Sequence, residues 1–197
     1  MAHDLRVARS ELILGGQKSG KTARAESLAA AWLAQSPQHE AVYIATAQAW
    51  DEEMRERIHR HRMDRAQRVP RMRTVEEPLA LAQAIGAHSR PDTLVVVDCL
   101  TLWLTALLMP AAGSSESNRP LAGAVAGHDA LFSVAVASCA GPLVLISNEI
   151  GLGVIPMGRD VRTFVDALGG LNQQAAAACE RVTLMSAGLP MTLKGTP

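Results

Sequence analysis

The feature that most constrains this chain is a glycine-rich segment between an apolar run and a helical pattern. Residues 15–22 read Gly-Gly-Gln-Lys-Ser-Gly-Lys-Thr and match the pattern G-x-x-x-x-G-K-[ST] in full. The run Glu11–Leu14 predicts a buried strand, and Gly20–Gln35 predicts a helix that ends at Ser36-Pro37. A glycine-rich turn that matches by chance is the alternative, and the flanking strand and helix weigh against it.

This segment has the composition of a loop that binds phosphate. Glycines let the backbone wrap a phosphate chain with its N–H groups, and the helix N-terminus adds positive charge. We expect Lys21 to reach the outer phosphates and the Thr22 hydroxyl to ligate Mg²⁺. The predicted nucleotide contacts in the loop are Gly15, Gly16, Gln17, Lys18, Ser19, Gly20, Lys21 and Thr22.

A carboxylate ends the clearest apolar strand of the chain, Thr93–Asp98. An acid at the carboxyl end of a buried strand, following a phosphate loop, suits the residue that holds the magnesium shell. We therefore assign Asp98, with Thr22, to the metal site. The alternative is that Asp98 caps the helix predicted from Thr101.

The remaining pattern alternates strands and helices. Further strands are predicted at 41–46, 143–147 and 182–185, and helices at 51–65, 78–88, 101–109, 121–140 and 161–180. This alternation predicts an α/β, P-loop NTPase-like fold with a largely parallel central sheet flanked by helices. We expect residues 1–10 to be an extension, residues 11–197 to be a single domain, and residues 110–120 to be a loop.

Charge is distributed unevenly although the formal net charge is zero. Eight of the sixteen arginines lie between Arg55 and Arg73, where only Glu56 and Asp64 oppose them. A chain-wide basic coat for nucleic acid is excluded, but a local anion site is not. A solvated basic helix is an alternative, and a helix that binds single-stranded nucleic acid is disfavoured by the lack of aromatic residues.

One histidine of this arginine-rich helix is set apart by its spacing. Met54, Ile58, His61 and Arg65 fall on one helical face, so we expect His61 on the inward side. An imidazole near phosphates can donate a hydrogen bond to an oxygen or attack phosphorus as a nucleophile. From the residues alone, a structural histidine on a basic helix remains the alternative.

The cysteines and the apolar runs indicate the compartment. Cys99, Cys139 and Cys179 are widely spaced in apolar contexts, which favours buried thiols over disulfides or a zinc site. The N-terminus lacks the pattern of a signal peptide, and the longest apolar stretch is interrupted by Asp98. We expect a cytoplasmic protein without a membrane span.

Several segments together resemble the bifunctional adenosylcobinamide kinase / adenosylcobinamide-phosphate guanylyltransferase family of cobalamin biosynthesis. The resemblance spans nearly the whole chain. Besides the phosphate loop, it rests on Tyr43–Ala47, Asp51–Met54 with Arg57, Ile58 and His61, Thr74–Glu76, Val97–Thr105, Ser147–Pro156, Gly169 with Asn172-Gln173, and Ala187–Pro190.

The resemblance implies two reactions. Adenosylcobinamide is phosphorylated by ATP or GTP, and GMP is then transferred from GTP through a guanylylated histidine that matches His61. The family's catalytic positions correspond to His61 and Lys21, and Mg²⁺ is the implied cofactor. Further nucleotide contacts carried over are Ala45, Thr46, Ala47, Arg62, Met63, Asp64, Arg65, Glu76 and Asp98. A homo-oligomer, with a trimer favoured, is also implied.

Some positions depart from the pattern of the family. Met72 replaces an expected Trp, Met157 an expected Glu, and Val165 an expected Arg. We expect these departures to bear on the corrinoid or kinase side rather than on guanylyl transfer. The polar run Ser147–Glu149 follows a strand and is predicted near the active site or an oligomer contact, or as a cap of the next glycine turn.

Two other functions fit parts of the sequence. A P-loop kinase of another pathway would use His61 only as a phosphate contact. A nucleotide-dependent switch or nucleic-acid motor is the other class, but the chain lacks the length and the second basic surface that a motor needs.

Overall fold

The computed structural model describes residues 5–49, 51–109 and 122–196, which form a single sheet covered by helices on both faces. The strands are β1 Ser10–Gly15, β2 Glu40–Ala45, β3 Met72–Glu76, β4 Thr93–Asp98, β5 Leu143–Ile146, β6 Arg181–Ser186 and β7 Leu189–Lys194. The helices are α1 Lys21–Gln35, α2 Glu52–Arg68, α3 Leu81–His88, α4 Leu100–Leu108, α5 Ala122–Ala137 and α6 Arg159–Ala178.

The sheet is parallel except at one edge. Its strand order is β3-β2-β4-β5-β1-β6-β7, and β7 alone among these strands runs antiparallel, against β6. The predicted α/β fold with a largely parallel central sheet is therefore confirmed. The antiparallel β7 follows β6 through a tight turn in which Ala187 and Gly188 both have positive φ, as two-residue hairpin turns require.

Two hydrophobic layers cover the sheet because side chains alternate along each strand. In β1, Leu12 and Leu14 face the layer formed with α3, α4, α5 and α6. Ile13 faces the opposite layer, where α1 contributes Leu28 and Leu33. The core is aliphatic apart from a few rings, of which Trp103 and Phe132 pack with centroids 5.6 Å apart.

The parallel arrangement brings the ends of four strands to one edge of the sheet. Ala45, at the end of β2, is in register with Asp98 of β4, and Asp98 is in register with Ile146 of β5. β1 lies beside β5 and ends at Gly15, where the glycine-rich loop begins. Ligands of open α/β sheets bind outside the carboxyl ends of the strands, so this edge is where a site is expected.

A buried carboxylate fixes the helix that follows the loop. Glu11 in β1 is 1% exposed and accepts hydrogen bonds from Arg24 Nε of α1 at 2.9 Å and from Thr183 Oγ1 of β6 at 2.7 Å. Arg181 Nε donates to the same carboxylate at 2.8 Å. A buried carboxylate satisfied on several sides holds its partners firmly, because removing one of them would leave an unpaired charge. The α1 helix is thereby held against β1 and β6.

The element predictions are wrong at two strands, one helix start and two helix ends, because α2 ends at Arg68 rather than Arg65 and α5 ends at Ala137 rather than Ala140. β3 and β7 were not predicted. The helix expected from Pro78 begins at Leu81, because Glu77 Oε1 accepts hydrogen bonds from the N–H groups of Leu79 and Ala80 and closes a turn there. The loop predicted at 110–120 and the first residue of the helix predicted at 121–140 lie outside the described residues.

The residues before β1 pack against the body of the protein. Leu5 and Val7 pack against the core on the α1 side of the sheet, and Ser10 already belongs to β1.

The three cysteines are buried thiols. Cys99, Cys139 and Cys179 are free and buried, and burial raises the pKa of Cys99 and of Cys179 to about 12. Within the ranges that the structure describes, no helix is long and apolar enough to cross a membrane.

Candidate active site

The glycine-rich loop has a backbone that ordinary residues would strain. Gly15 has φ +150° and Gly20, which precedes the first residue of α1, has φ +105°. A Cβ at Gly15 would lie 2.5 Å from both the Met185 carbonyl oxygen and Ser19 Oγ, whereas a Cβ at Gly16 would meet nothing within 4 Å. Gly15 is therefore required by the turn that follows β1, whereas the space around the Cα of Gly16 is open.

The loop lysine lies inside this turn. Lys21 is 8% exposed, and its Nζ donates hydrogen bonds to the carbonyl oxygens of Gly15 at 2.9 Å and of Gly16 at 2.7 Å. Burial lowers the pKa of Lys21, and the positive charge of Arg57 on α2 acts in the same direction. The Arg57 charge thus acts on the ammonium group that is expected to contact phosphate, although the Asp98 carboxylate has a larger, opposite effect on its pKa.

The turn between β6 and β7 packs against the glycine-rich loop. The Gly188 N–H donates to the Ser19 carbonyl oxygen at 2.9 Å, and a Cβ at Gly20 would come within 3.2 Å of Gly188 Cα. Ser19 Oγ is buried without a hydrogen-bond partner among the described residues. An unsatisfied buried hydroxyl in a loop of backbone donors suits a phosphate oxygen.

A single carboxylate oxygen joins three elements beside the loop. Asp98 Oδ2 accepts hydrogen bonds from Thr22 Oγ1 at 3.0 Å and from Tyr43 Oη at 2.5 Å. Burial and the nearby Asp98 carboxylate hold the pKa of Tyr43 well above its ordinary range, so its hydroxyl is a proton donor at neutral pH. The pair of Thr22 and Asp98 supplies the hard oxygen donors that Mg²⁺ prefers and fits that ion.

The backbone after Asp98 is held by a threonine from β2. Thr46 is fully buried; its Oγ1 donates to the Cys99 carbonyl oxygen at 2.7 Å and accepts from the Cys99 N–H at 2.8 Å. The alternative role of Asp98 as a helix cap is wrong, because Cys99 is the residue that precedes α4 and no side chain caps that helix. Asp98 is thus free to face the loop.

The arginine-rich helix is present, but its histidine is not on a buried face. α2 begins after Asp51, whose side chain accepts from the Met54 N–H at 2.7 Å. Met54 and Ile58 are half-buried, whereas His61 is exposed. The expectation that His61 lies on the inward side is therefore wrong for this chain. Arg65, in the last turns of α2, is the one residue of this helix that is buried, whereas Met54 and Ile58 in its earlier turns are only partly covered.

That last turn is anchored through two arginines. Arg65 is 3% exposed, its guanidinium carbon lies 3.7 Å from the centroid of the Tyr43 ring, and its Nη2 donates to Thr74 Oγ1 at 3.1 Å. Arg68 Nη1 forms an ion pair at 2.9 Å with Glu26, a buried residue of α1. α2 is thus tied at its C-terminal end to β2, β3 and the helix that follows the phosphate loop.

The other predicted nucleotide contacts are arranged around this anchor. Arg62 Nη1 pairs with Glu76 Oε1 at 3.0 Å on the surface. Met63 is 52% exposed and Asp64 is half-buried. Ala45 and Ala47 flank Thr46 at the end of β2 and are both half-buried. These residues therefore lie near the carboxyl edge or on α2, and their contact with nucleotide stays a prediction.

The polar run after β5 lies beside the glycine-rich loop and also caps the turn that follows it. The Glu149 N–H donates to the Gly15 carbonyl oxygen at 3.2 Å, which joins this run to the phosphate loop. Glu149 Oε1 also accepts from the Gly151 N–H at 2.9 Å and so caps the glycine turn. Thr101 Oγ1 accepts from the Asn148 N–H at 2.9 Å, which holds the run against α4.

The three departures from the family pattern occupy different environments. Met72 opens β3 and is buried in the layer beside α1. Met157 is 96% exposed, and Val165 is half-buried on α6. Met72 therefore fills a core position, whereas Met157 lies on the surface.

Comparisons with known protein sequences show which family the chain belongs to. A sequence model of the family described as cobinamide kinase / cobinamide phosphate guanyltransferase matches residues 11–193. The chain belongs to this family. It is 47% identical over 188 residues to the bifunctional adenosylcobalamin biosynthesis protein CobP of Pseudomonas aeruginosa, covering 95% of this chain and 98% of that protein. It is 34% identical to the CobU protein of Escherichia coli over 93% of this chain and 98% of the relative.

Membership in the cobinamide kinase / guanyltransferase family defines the enzyme class. The chain is a nucleotide-dependent kinase and nucleotidyltransferase of cobalamin biosynthesis. The substrates of such an enzyme are a corrinoid and the nucleotides ATP or GTP. The nucleic-acid motor and the plain switch are thereby set aside.

Sequence reasoning missed the residues that link the parts of the site. Tyr43, Thr74 and the Glu26–Arg68 pair were not predicted as functional. A signal existed for Tyr43, because it is the single tyrosine of the chain and stands in an apolar strand. A buried tyrosine needs a partner for its hydroxyl.

The two glycines that open the loop make a matched test of its backbone. Gly15→Ala is expected to lower the free energy of unfolding by about 1–3 kcal/mol, because its methyl group would overlap Met185 and Ser19 at an unfavourable φ. Gly16→Ala should change it by less than about 0.5 kcal/mol. Urea unfolding without nucleotide measures both, and equal losses would contradict the geometry.

Proposed function

We propose that this enzyme phosphorylates adenosylcobinamide with ATP or GTP and then transfers GMP from GTP through a guanylylated His61. The products of the second reaction are adenosyl-GDP-cobinamide and pyrophosphate. The observation that carries the proposal is the anchoring of the His61 helix beside the phosphate loop, through Arg65, Tyr43 and Asp98.

In the kinase step, the acceptor hydroxyl oxygen attacks the γ-phosphorus and its proton is released to water. The bond from the γ-phosphorus to the bridging oxygen breaks, and the nucleoside diphosphate leaves. The loop amides would hold the phosphates, and Lys21 would offset charge on the transferred group. Thr22 and Asp98 would hold Mg²⁺, which would neutralise charge on the phosphate chain. Both oxygen donors already share one hydrogen bond at 3.0 Å, which supports this assignment.

In the guanylyl step, a ring nitrogen of His61 attacks the α-phosphorus of GTP. The bond to the β-phosphate oxygen breaks, and pyrophosphate leaves. A phosphate oxygen of adenosylcobinamide phosphate then attacks the same phosphorus, and the bond to the histidine nitrogen breaks. His61 is exposed, which suits a nucleophile that must meet an acceptor as bulky as a corrinoid.

The arginines of α2 differ in their freedom to serve this step. Arg55, Arg62 and Arg68 are paired with carboxylates. Arg57 forms no hydrogen bond or ion pair within the part of the chain that the structure describes, and its charge is felt by Lys21. Arg57 also lies one turn from His61 along the helix. We assign it to the negative charge that develops on pyrophosphate.

Labelling with GTP tests the covalent step. Protein incubated with GTP labelled at the α-phosphate should retain label after denaturation, as an adduct that is labile to acid and stable to alkali. His61→Ala should abolish the label, because the adduct is a phosphoramidate of that ring. His59→Ala, a neighbouring exposed histidine on the same helix, should retain it.

The outcomes of that labelling separate the candidate functions. If the wild-type protein retains no label while γ-phosphate transfer to adenosylcobinamide proceeds, the covalent step is wrong and a simple kinase remains. If His59→Ala loses the label and His61→Ala keeps it, the nucleophile has been assigned to the wrong ring.

Lys21 tests the kinase step. Lys21→Ala is expected to slow γ-phosphate transfer to adenosylcobinamide by at least about 100-fold, because a buried ammonium beside the phosphates is lost. Lys18 in the same loop has an exposed side chain, so Lys18→Ala should cost less than about 10-fold. A labelled-product assay at saturating nucleotide measures both, and equal effects would argue against the assigned role.

We also propose a homo-oligomer, with a trimer as the favoured state. Support comes from a run of exposed apolar side chains after β5: Leu152 is 82%, Val154 97% and Ile155 76% exposed. An exposed patch of this kind is typical of an interface between proteins.

A charge placed in this run tests the oligomer. Val154→Asp should shift the sedimentation coefficient toward that of a monomer, because a carboxylate would be desolvated at the contact. Val134→Asp on α5, at a position that is 65% exposed, is the matched control and should leave it unchanged. A wild-type protein that sediments as a monomer would contradict the proposal.

A further inference from the structure

Tyr43 makes two different contacts at the two ends of its side chain. The residue is 4% exposed in the middle of β2. Its hydroxyl donates to Asp98 Oδ2 at 2.5 Å, and the face of its ring lies 3.7 Å from the guanidinium carbon of Arg65. One rigid ring thus spans the gap between β4 and α2.

The hydroxyl end acts on the carboxylate that we assign to the metal. Asp98 Oδ2 also accepts from Thr22 Oγ1 at 3.0 Å, so the Tyr43 hydroxyl and the Thr22 hydroxyl converge on one oxygen. Hydrogen bonds to a ligating carboxylate orient it, and their loss commonly weakens metal binding. Tyr43 therefore fixes the direction in which Asp98 faces the loop.

The ring face acts on the helix that carries His61. Arg65 is the one residue of α2 that is fully inserted into the body, and its Nη2 also donates to Thr74 Oγ1 at 3.1 Å. A guanidinium stacked on a buried aromatic face gains more than an exposed one, because both are withdrawn from water. His61 precedes Arg65 by one helical turn. The contact between Arg65 and the Tyr43 ring therefore positions the part of α2 that carries His61.

We propose that Tyr43 is a positioning residue for both reactions, its hydroxyl aligning Asp98 for the metal and its ring aligning α2 for guanylyl transfer. The roles given to the hydroxyl and to the ring, in metal binding and in guanylyl transfer, rest on the proposed function. The coupling itself is independent of the chemistry, since it predicts how metal binding and the order of α2 respond to separate changes in one side chain.

Two substitutions separate the two ends. Tyr43→Phe removes the hydroxyl and keeps the ring, whereas Tyr43→Leu removes both. Mn²⁺ binding in the presence of a non-hydrolysable GTP analogue reports on Asp98. It is measured from the electron paramagnetic resonance signal of the free ion. Hydrogen exchange of the amides of residues 52–68, compared with those of the strands, reports on α2.

The expected results differ between the variants. Tyr43→Phe should weaken Mn²⁺ binding about 10-fold while leaving exchange in α2 and GMP labelling of His61 near wild type. Tyr43→Leu should weaken Mn²⁺ binding as much and also raise exchange in α2 and slow labelling. Lower amide exchange in α2 and faster GMP labelling in Tyr43→Phe than in Tyr43→Leu would show the contribution of the aromatic ring.

A control separates positioning from loss of stability. Ile44→Ala removes a fully buried side chain on the opposite face of β2, so it should lower stability yet leave Mn²⁺ binding and α2 exchange unchanged. Mn²⁺ affinity within twofold of wild type in Tyr43→Phe would overturn the hydroxyl role. Wild-type α2 exchange in Tyr43→Leu would overturn the ring role. Failure of wild-type protein to form any GMP adduct would refute the proposed function and leave both of these measurements valid.

Discussion

The site depends on one carboxylate oxygen that accepts hydrogen bonds from two neighbouring elements. Asp98 Oδ2 receives Thr22 Oγ1 from α1 and Tyr43 Oη from β2, and Asp98 itself ends β4. The contact forms because parallel strands end at one edge of the sheet. Thr46 holds the backbone just after Asp98, and Glu11 holds α1, which carries Thr22, against β1 and β6. The carboxylate and one of its two partners are therefore held in place by further buried contacts.

The arginine-rich helix α2 and the residues just after it carry a cluster of like charges. A cluster of like charges would repel itself on an isolated helix. Five of its eight members are compensated: Arg65 lies on an aromatic ring, Arg55, Arg62 and Arg68 meet carboxylates, and Arg71 donates to three backbone carbonyl oxygens. Arg62, Arg65 and Arg68 attach α2 to other elements, so part of the cluster has a structural role and the rest of its charge remains for phosphate.

Much of this architecture could be predicted from the sequence, and the failures have physical causes. The phosphate loop, β1, α1 and β4 were predictable because their signals are local. β3 and β7 were missed because each lies at an edge of the sheet with most of its side chains exposed or only partly buried, so its apolar pattern is weak. The spacing of α2 identified a shared face, but spacing alone does not tell where along a helix the contact with the body occurs. Only Arg65 at its end is buried, and His61 is exposed. The link through Tyr43 depends on contacts between residues far apart in sequence, which no local pattern encodes.

The most direct test of this account is a crystal structure of the protein grown with a non-hydrolysable GTP analogue and Mn²⁺, with the metal located by anomalous scattering. The account predicts phosphate density against the backbone of residues 15–22 and a manganese peak within ligand distance of Thr22 Oγ1 and Asp98. A nucleotide bound elsewhere on the molecule, or a metal that Asp98 does not approach, would contradict it.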